Sequence, residues 1–210
     1  MLDQLDIIGR TSELARVFGI DFYSVLWRGS QYRVESMMLR LAHRHDPPFL
    51  AISPTKQQVA SQRSLEVIPL VMEPSSRLYT SPVIVLDFRS LYPSVIIAYN
   101  LCYSTCLGKI AKNNEDIGTT RKRLGALDDY SLPPGVLGEL KGQLNLSPNE
   151  VMFVQRSTRQ GILPRMLTEI LEARIQVKKD LKTTSDPVVH RILNAKQYAL
   201  KLIANVTYGY

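Results

Sequence analysis

The architecture of this chain turns on one segment, which reads Val83-Ile84-Val85-Leu86-Asp87-Phe88-Arg89-Ser90-Leu91-Tyr92-Pro93-Ser94. Four consecutive apolar residues at its start predict a short buried strand over residues 83–88. Ser90 is a favoured N-cap residue and Pro93 falls in the first turn after it, so a helix is expected over residues 91–99. The carboxylate of Asp87 is therefore expected where a buried strand gives way to the start of a helix.

Asp87 in that position predicts a metal site. A buried carboxylate is costly unless it is paired or bound to a metal, and carboxylate oxygens suit Mg²⁺, which also binds substrate phosphates. Ser90 and the amides of the following turn lie at a helix N-terminus, where phosphate oxygens are favoured. Tyr92 can stack on a sugar. An isolated aspartate at a strand end is more often a turn or capping residue, and the segment alone leaves that interpretation open.

Two helices are predicted in the last third of the chain. Apolar residues recur at helical spacing over residues 163–183, and a second helix is expected over residues 188–206, after the turn that contains Pro187. Helices joined by so short a turn pack as an antiparallel hairpin.

The second helix is predicted to gather polar side chains on one face, namely those of Asn194, Tyr198, Lys201, Asn205 and Tyr208. On the first helix Arg174 and Lys178 are four residues apart and share a face. If the hairpin packs as expected, Arg174, Lys178 and Lys201 converge and can bind a triphosphate. Taken alone, without the Asp87 segment, the two helices favour the other interpretation, in which they are surface helices that carry ordinary basic residues.

Composition is that of a soluble globular protein with a basic end. The 210 residues carry a net charge of +7, and residues 151–210 hold ten Lys/Arg against four Asp/Glu, which favours a polyanionic partner. Cys102 and Cys106 are the only cysteines and are expected to be free, buried thiols. Residues 90–108 lack charge, but Pro93 and Asn100 argue against a membrane span there.

The rest of the chain divides by its patterning. Residues 3–45 show helical periodicity that Gly19 and Gly29 interrupt. Residues 46–82 are rich in proline and are expected to cross in extended form between subdomains. Residues 109–150, rich in Gly, Asn, Asp and Pro, predict an irregular insertion with one short helix.

Three motifs, in this order along the chain, resemble those of the family B DNA polymerases. Motif A is matched by residues 87–94, quoted above. The opening of the fingers helices is similar to Gly161-Ile162-Leu163-Pro164 with Arg174 and Lys178 after it, and motif B to Lys201-Leu202-Ile203-Ala204-Asn205-Val206-Thr207-Tyr208-Gly209. The resemblance covers nearly the whole chain and is weakest across residues 109–150. Segments at residues 28–40, 72–79, 102–108 and 202–210 resemble a translesion member of the family.

The resemblance implies an α+β fold made of parts of three subdomains. Residues 1–50 would end an exonuclease-like domain. Residues 51–158 would form a linker and the N-terminal half of the palm, with an insertion at 109–150. Residues 159–210 would form the fingers as an antiparallel helical hairpin.

The resemblance also implies roles for the motif A residues. Asp87 would bind two Mg²⁺ ions, with the Phe88 carbonyl as a further ligand. Ser90 and the Leu91 amide would hold the triphosphate, and Tyr92 would be the steric gate that excludes a ribose 2′-hydroxyl.

Further roles are implied for the helical hairpin. Arg174, Lys178 and Lys201 would bind the triphosphate, and Lys201 would protonate the leaving pyrophosphate. Asn205 would help to bind the nucleotide, and Tyr208 would lie near the nascent base pair.

The implied activity is template-dependent deoxynucleotidyl transfer to a primer 3′ end, past lesions, in the nucleus. The family's second catalytic aspartate lies in a downstream motif outside these 210 residues, so the chain alone is expected to be inactive. A [4Fe-4S] cluster and the accessory subunits, one a HORMA-domain protein and one a B-type subunit, are implied outside this segment. Two alternatives stay open: a replicative member of the family, which the Val206-Thr207 pair and the segment at residues 102–108 disfavour, and a non-catalytic DNA-binding scaffold, which intact Asp87, Tyr92 and Lys201 disfavour.

Overall fold

The computed structural model describes residues 6–45, 72–88, 90–109, 121–124, 127–131, 135–148 and 151–209. Its helices, in chain order, are α1 (Ile7–Phe18), α2 (Phe22–Trp27), α3 (Ser30–His43), α4 (Leu91–Ala98), α5 (Val136–Glu139), α6 (Ile162–Thr183) and α7 (Pro187–Val206). A 3₁₀ turn, Thr207–Gly209, follows α7. The strands are β1 (Cys106–Lys109), β2 (Arg121–Leu124), β3 (Leu127–Ser131), β4 (Leu144–Leu146) and β5 (Val151–Val154). No helix within these ranges is long and apolar enough to cross a membrane.

The predicted helical start of the chain is confirmed, with its two glycines at helix boundaries. Gly19 ends α1 in the left-handed conformation (φ 63°), which glycine adopts without a Cβ clash. Asp21 caps α2 by accepting a hydrogen bond from the Ser24 amide at 2.8 Å. Gly29 is the N-cap residue of α3. These short elements lie beside the C-terminal hairpin, and α1 and α3 both pack against α7.

The C-terminal hairpin forms the centre of the hydrophobic core. Leu163, Leu167, Ile170 and Val177 of α6 are at most 8% exposed, which confirms the predicted apolar stripe. They share one cluster with residues of α1, α3 and α7, including the fully buried Phe18, Val34 and Ile203. Asp186 accepts hydrogen bonds from the amides of Val188 and Val189, and Pro187 is the first residue of α7. The cap and the proline together therefore fix the start of this helix.

The irregular insertion predicted over residues 109–150 is only partly correct. Helix α5 is present there, as expected, but the region also contains strands. Strand β5 lies between β1 and β4 in an antiparallel sheet, and β2 pairs with β3. The missed β4 has three residues, paired as Leu144 with Val154 and Leu146 with Met152. So short a strand carries no readable alternation, and its existence depends on the partner strand that the fold brings beside it.

The prediction of a buried strand over residues 83–88 is wrong. This segment lies outside helices and strands, and the side chains of its four apolar residues are 64–90% exposed. A strand is stable only when another strand pairs with it, and the strands in the described ranges pair among themselves. The helix after it is confirmed as α4, with Ser90 as its N-cap residue and Pro93 in its first turn. Of the expected crossing over residues 46–82, residues 46–71 lie outside the described ranges, and residues 72–82 contain no helix or strand.

Candidate active site

Two tyrosines from distant parts of the sequence meet at one stacked contact. The rings of Tyr92, in α4, and Tyr208, in the 3₁₀ turn after α7, have centroids 4.4 Å apart and planes inclined by 15°. Both rings stay accessible, at 60% and 44% exposure. Aromatic stacking stabilises a contact by about 0.5–1.5 kcal/mol beyond the burial of area. The contact joins the segment resembling motif A to the segment resembling motif B.

The N-terminus of α4 has an unusual conformation at Ser90. Its φ of 54° is positive, which is uncommon for a residue other than glycine. Its carbonyl accepts the first helical bond, from the Ser94 amide at 2.9 Å, but its hydroxyl makes no capping hydrogen bond. Strained positions of this kind concentrate at ligand sites. Leu91, the first helical residue, is 46% exposed, so this end of the helix is open to a ligand.

Asp87 and Phe88 lie in the exposed segment before α4. Because the Asp87 carboxylate is exposed, it needs no partner to offset a cost of burial. The donor chemistry still suits Mg²⁺, because a carboxylate and a backbone carbonyl are both hard oxygen ligands. Across the described ranges no group of three or more His, Cys, Asp or Glu side chains could hold a metal.

The polar face predicted for the second helix of the hairpin is confirmed as solvent-exposed. Asn194, Tyr198, Lys201 and Asn205 lie in α7 and Tyr208 just beyond it, and all five are exposed. The opposite side of the same helix is buried, at Ala199, Leu200 and Ile203. The helix therefore presents an amine, amides and a phenol to solvent along this face, and Tyr208 beyond its end contacts Tyr92.

Arg174 and Lys178 occupy successive turns of α6, and both are half-buried. The Nε atom of Arg174 is fully buried and has no hydrogen-bond partner. A buried donor without a partner is costly, and an anionic ligand could satisfy such a guanidinium. The convergence of Arg174, Lys178 and Lys201 on one ligand stays a prediction.

Sequence reasoning missed the residue that links these elements, Asn100. It follows α4 with a φ of 55°, and the Leu101 amide donates to the Ile96 carbonyl at 3.0 Å, as in a Schellman C-cap. An asparagine just after a predicted helix is the signal that could have marked this cap. Its long-range partners leave no such trace in the sequence.

The side chain of Asn100 is fully buried and makes three hydrogen bonds. Its Nδ2 donates to the carbonyls of Val154, at 2.7 Å, and Arg159, at 2.8 Å. Its Oδ1 accepts from the Gly161 amide at 2.9 Å, and Gly161 is the N-cap residue of α6. The Thr105 hydroxyl donates to the Asn100 carbonyl at 2.7 Å. One residue thus connects the end of α4, the end of β5 and the start of α6.

Both cysteines are buried and neither forms a disulfide, as expected. Cys102 lies beside the Asn100 contacts, where its Sγ accepts from the Ser104 hydroxyl at 3.1 Å and from the Leu163 amide at 3.4 Å. The Cys102 thiol therefore belongs to the packing around the start of α6, whereas Cys106 lies in β1, where it pairs with Phe153 of β5.

Comparison with known proteins gives three concordant matches. Residues 20–210 match the family model described as DNA polymerase family B. The chain is 62% identical over 212 residues to the DNA polymerase zeta catalytic subunit of Arabidopsis thaliana, covering 100% of this chain and 11% of that protein. It is 36% identical over 210 residues to the DNA polymerase delta catalytic subunit of Candida albicans, covering 100% of this chain and 18% of that protein.

Among solved structures, the chain is similar to the family B DNA polymerase from the hyperthermophilic archaeon Pyrobaculum calidifontis, with a TM-score of 0.60 and 27% identity. The match covers 98% of this chain and 23% of that one. The chain thus spans a small part of the length of each of these relatives.

Proposed function

The chain belongs to the family B DNA polymerases, and on that premise we propose that it carries one half of the nucleotidyl-transfer site of a translesion DNA polymerase. The observation that carries this proposal is the stacked contact of Tyr92 with Tyr208. It joins the residues assigned to the sugar and triphosphate with those assigned to the nascent base pair, and both rings remain accessible to a nucleotide. Residues 1–50, 51–158 and 159–210 are assigned to the end of an exonuclease-like domain, to the linker and palm, and to the fingers.

In the proposed reaction a primer 3′-hydroxyl attacks the α-phosphorus of a deoxynucleoside triphosphate. The bond from that phosphorus to the bridging oxygen breaks, pyrophosphate leaves, and the hydroxyl proton passes to solvent. Lys201 protonates the leaving pyrophosphate, while Arg174 and Lys178 bind the triphosphate oxygens. The open N-terminus of α4, at Ser90 and Leu91, offers amides to the same oxygens.

The remaining roles concern the sugar, the base and the metal. Tyr92 excludes a ribose 2′-hydroxyl, Asn205 helps to bind the nucleotide, and Tyr208 faces the nascent pair. Asp87 and the Phe88 carbonyl would hold Mg²⁺, which supplies charge neutralisation at the phosphates when it is bound.

A second catalytic aspartate is assigned to a segment outside these residues. An iron–sulfur cluster does not fit this chain alone, because a [4Fe-4S] cluster takes four thiolates and the chain has two cysteines. The proposed partners are a primer–template and deoxynucleotides, in the nucleus. HORMA-domain and B-type subunits would bind elsewhere on the whole protein.

The choice of a translesion over a replicative enzyme rests on degree of similarity. Identity to the zeta catalytic subunit is 62%, against 36% to the delta catalytic subunit. The alternative of a non-catalytic scaffold is disfavoured because Asp87, Tyr92 and Lys201 are all present.

The decisive experiment is primer extension by the full-length polymerase that contains this segment. Asp87→Ala should lower the rate by at least about a thousandfold, because a metal ligand at the reacting phosphate is lost. Primer–template affinity should stay within about twofold, because most DNA affinity comes from phosphate contacts elsewhere. Glu73→Ala, which removes an exposed carboxylate from the same extended stretch, is the matched control.

Three outcomes would contradict the proposal. Extension retained by Asp87→Ala would refute the metal assignment. A wild-type enzyme that extends intact templates but stops at an abasic site would favour the replicative alternative. A wild-type protein that binds DNA without extending a primer would favour the scaffold.

A further inference from the structure

We propose that Asn100 is a positioning residue that fixes the direction in which α6 leaves the sheet, and thereby the placement of Arg174 and Lys178 at the triphosphate. This inference rests on the proposed function and concerns the same site. Asn100 touches neither the nucleotide nor the metal in the roles assigned above. Its side chain holds Gly161, the N-cap residue of the helix that carries the two cations.

The hydrogen bonds of Asn100 to Thr105, Val154, Arg159 and Gly161 form a rigid unit, which we call the joint. The side-chain Nδ2 of Asn100 donates to the carbonyls of Val154 and Arg159, and its Oδ1 accepts from the backbone amide of Gly161, all at 2.7–2.9 Å. The backbone of Asn100 is held by the Thr105 hydroxyl, and the Thr105 carbonyl in turn accepts from the Val154 amide at 2.9 Å. Asn100 and Thr105 are at most 1% exposed, so water does not compete for these bonds.

Gly161 packs tightly against Asn100, Cys102 and Pro164. A Cβ added there would lie 2.9 Å from Cys102 Cβ and 3.0 Å from both Asn100 Oδ1 and Pro164 Cδ. Carbon atoms do not approach one another so closely without displacement. The absence of a side chain therefore allows the start of α6 to lie directly against the turn after α4.

A small tilt of α6 at the joint would displace the residues farther along the helix. Arg174 lies 13 residues beyond Gly161, which is about 20 Å along an α-helix. A tilt of about 10° at the joint would move Arg174 by about 3 Å relative to Tyr92, and displacements of about 1 Å can cost a hundredfold in rate. Tyr92 lies in α4, on the other side of the joint, so a tilt at the joint would change the distance between the two.

The test measures nucleotide affinity per active site in the full-length polymerase. Asn100→Gly keeps the positive φ and removes all three side-chain bonds, while Asn100→Asp keeps the size and removes the two donated ones. In single-turnover incorporation, both variants should raise the nucleotide Kd by about tenfold, since buried groups lose their partners and Arg174 and Lys178 shift. Primer–template affinity should change by less than about twofold.

Matched controls separate positioning from general loss of structure. Asn145→Asp makes the same chemical change at an asparagine that donates to the carbonyl of the neighbouring Tyr99, at the surface. It should leave the nucleotide Kd unchanged. Gly161→Ala disturbs the same contacts from the α6 side, because its Cβ would clash with Asn100 and Cys102. It should raise the nucleotide Kd as the Asn100 variants do. Gly138→Ala, with open space around the added Cβ, should not.

The outcomes discriminate among the possibilities. In a background that carries both Arg174→Ala and Lys178→Ala, Asn100→Gly should have less than about a twofold further effect on nucleotide Kd, because its effect acts through those two cations. A lower fraction of active enzyme with an unchanged nucleotide Kd would overturn the proposal, because it would show a purely structural role. If the Asn100 variants do not fold, an unchanged Kd in Gly161→Ala overturns it. A wild-type protein without extension activity would instead refute the proposed function.

Discussion

The α6–α7 hairpin and residues 83–88 carry the two halves of the candidate site, yet their surroundings differ. Leu167 and Ile203 in the hairpin are fully buried, whereas Ile84 and Leu86 before Asp87 are 84% and 90% exposed. Residues 83–86 are continuously apolar, and each helix of the hairpin carries an apolar stripe. The hairpin finds its partners within the chain, in α1, α3 and α4. An apolar sequence is therefore buried only where another part of the protein packs against it.

Hydrogen exchange should give the largest contrast between the two regions. In the 210-residue chain, amides of residues 199–204 should exchange at least about a thousandfold more slowly than those of residues 83–88, because helical amides in a core open only with a large part of the structure. Peptide-resolved mass spectrometry measures both. Equal protection would show that residues 83–88 are packed as firmly as the hairpin. Slow exchange at 83–88 that appears only in a longer protein would show that a strand partner is supplied from elsewhere.

Stability should separate the same regions next. Leu167→Ala should lower the free energy of unfolding by about 2–5 kcal/mol, because it leaves a cavity among packed side chains. Ile84→Ala, at an 84% exposed position, should change it by no more than about 0.5 kcal/mol. Urea titration followed by circular dichroism measures both variants. A large loss of stability in Ile84→Ala would show that the segment is packed in solution.

Lys201 tests the hairpin's half of the chemistry. In the full-length polymerase, Lys201→Ala should slow incorporation by about a hundredfold, the low end of what a general acid contributes. Lys196→Ala removes another exposed lysine of α7 that lies off the polar face, and should leave the rate near that of the wild type. Quench-flow measurement of a single incorporation distinguishes them. Equal rates in both variants would remove Lys201 from the reaction.

Tyr92 tests the contact at which the two halves meet. Tyr92→Ala should reduce the preference for deoxynucleotides over ribonucleotides by about tenfold, because the ring that opposes a 2′-hydroxyl is lost. Tyr99→Ala, at an exposed tyrosine at the other end of α4, should keep the preference. Competing incorporation of the two sugars into one primer measures the ratio. An unchanged ratio in Tyr92→Ala would show that the gate lies elsewhere.

Much of the helical framework was predictable from the sequence. The α6 stripe and the Pro187 start of α7 follow from spacing and from backbone chemistry within one or two turns. The short strands were not predictable, because β4 exists through its pairing with β5. The polar face of α7 was found from its spacing, whereas the Asn100 joint was missed, since its partners lie 54–61 residues away.

Local sequence was sufficient to predict most of the helices, the polar face that carries Lys201 and Asn205, and the family to which the three motifs point. These properties depend on residues within a few positions of one another. Long-range contacts, by contrast, establish the exposure of the apolar run before Asp87, the stacking of Tyr92 on Tyr208 and the joint at Asn100. Each of these depends on whether a distant part of the chain comes into contact, and no short pattern encodes that.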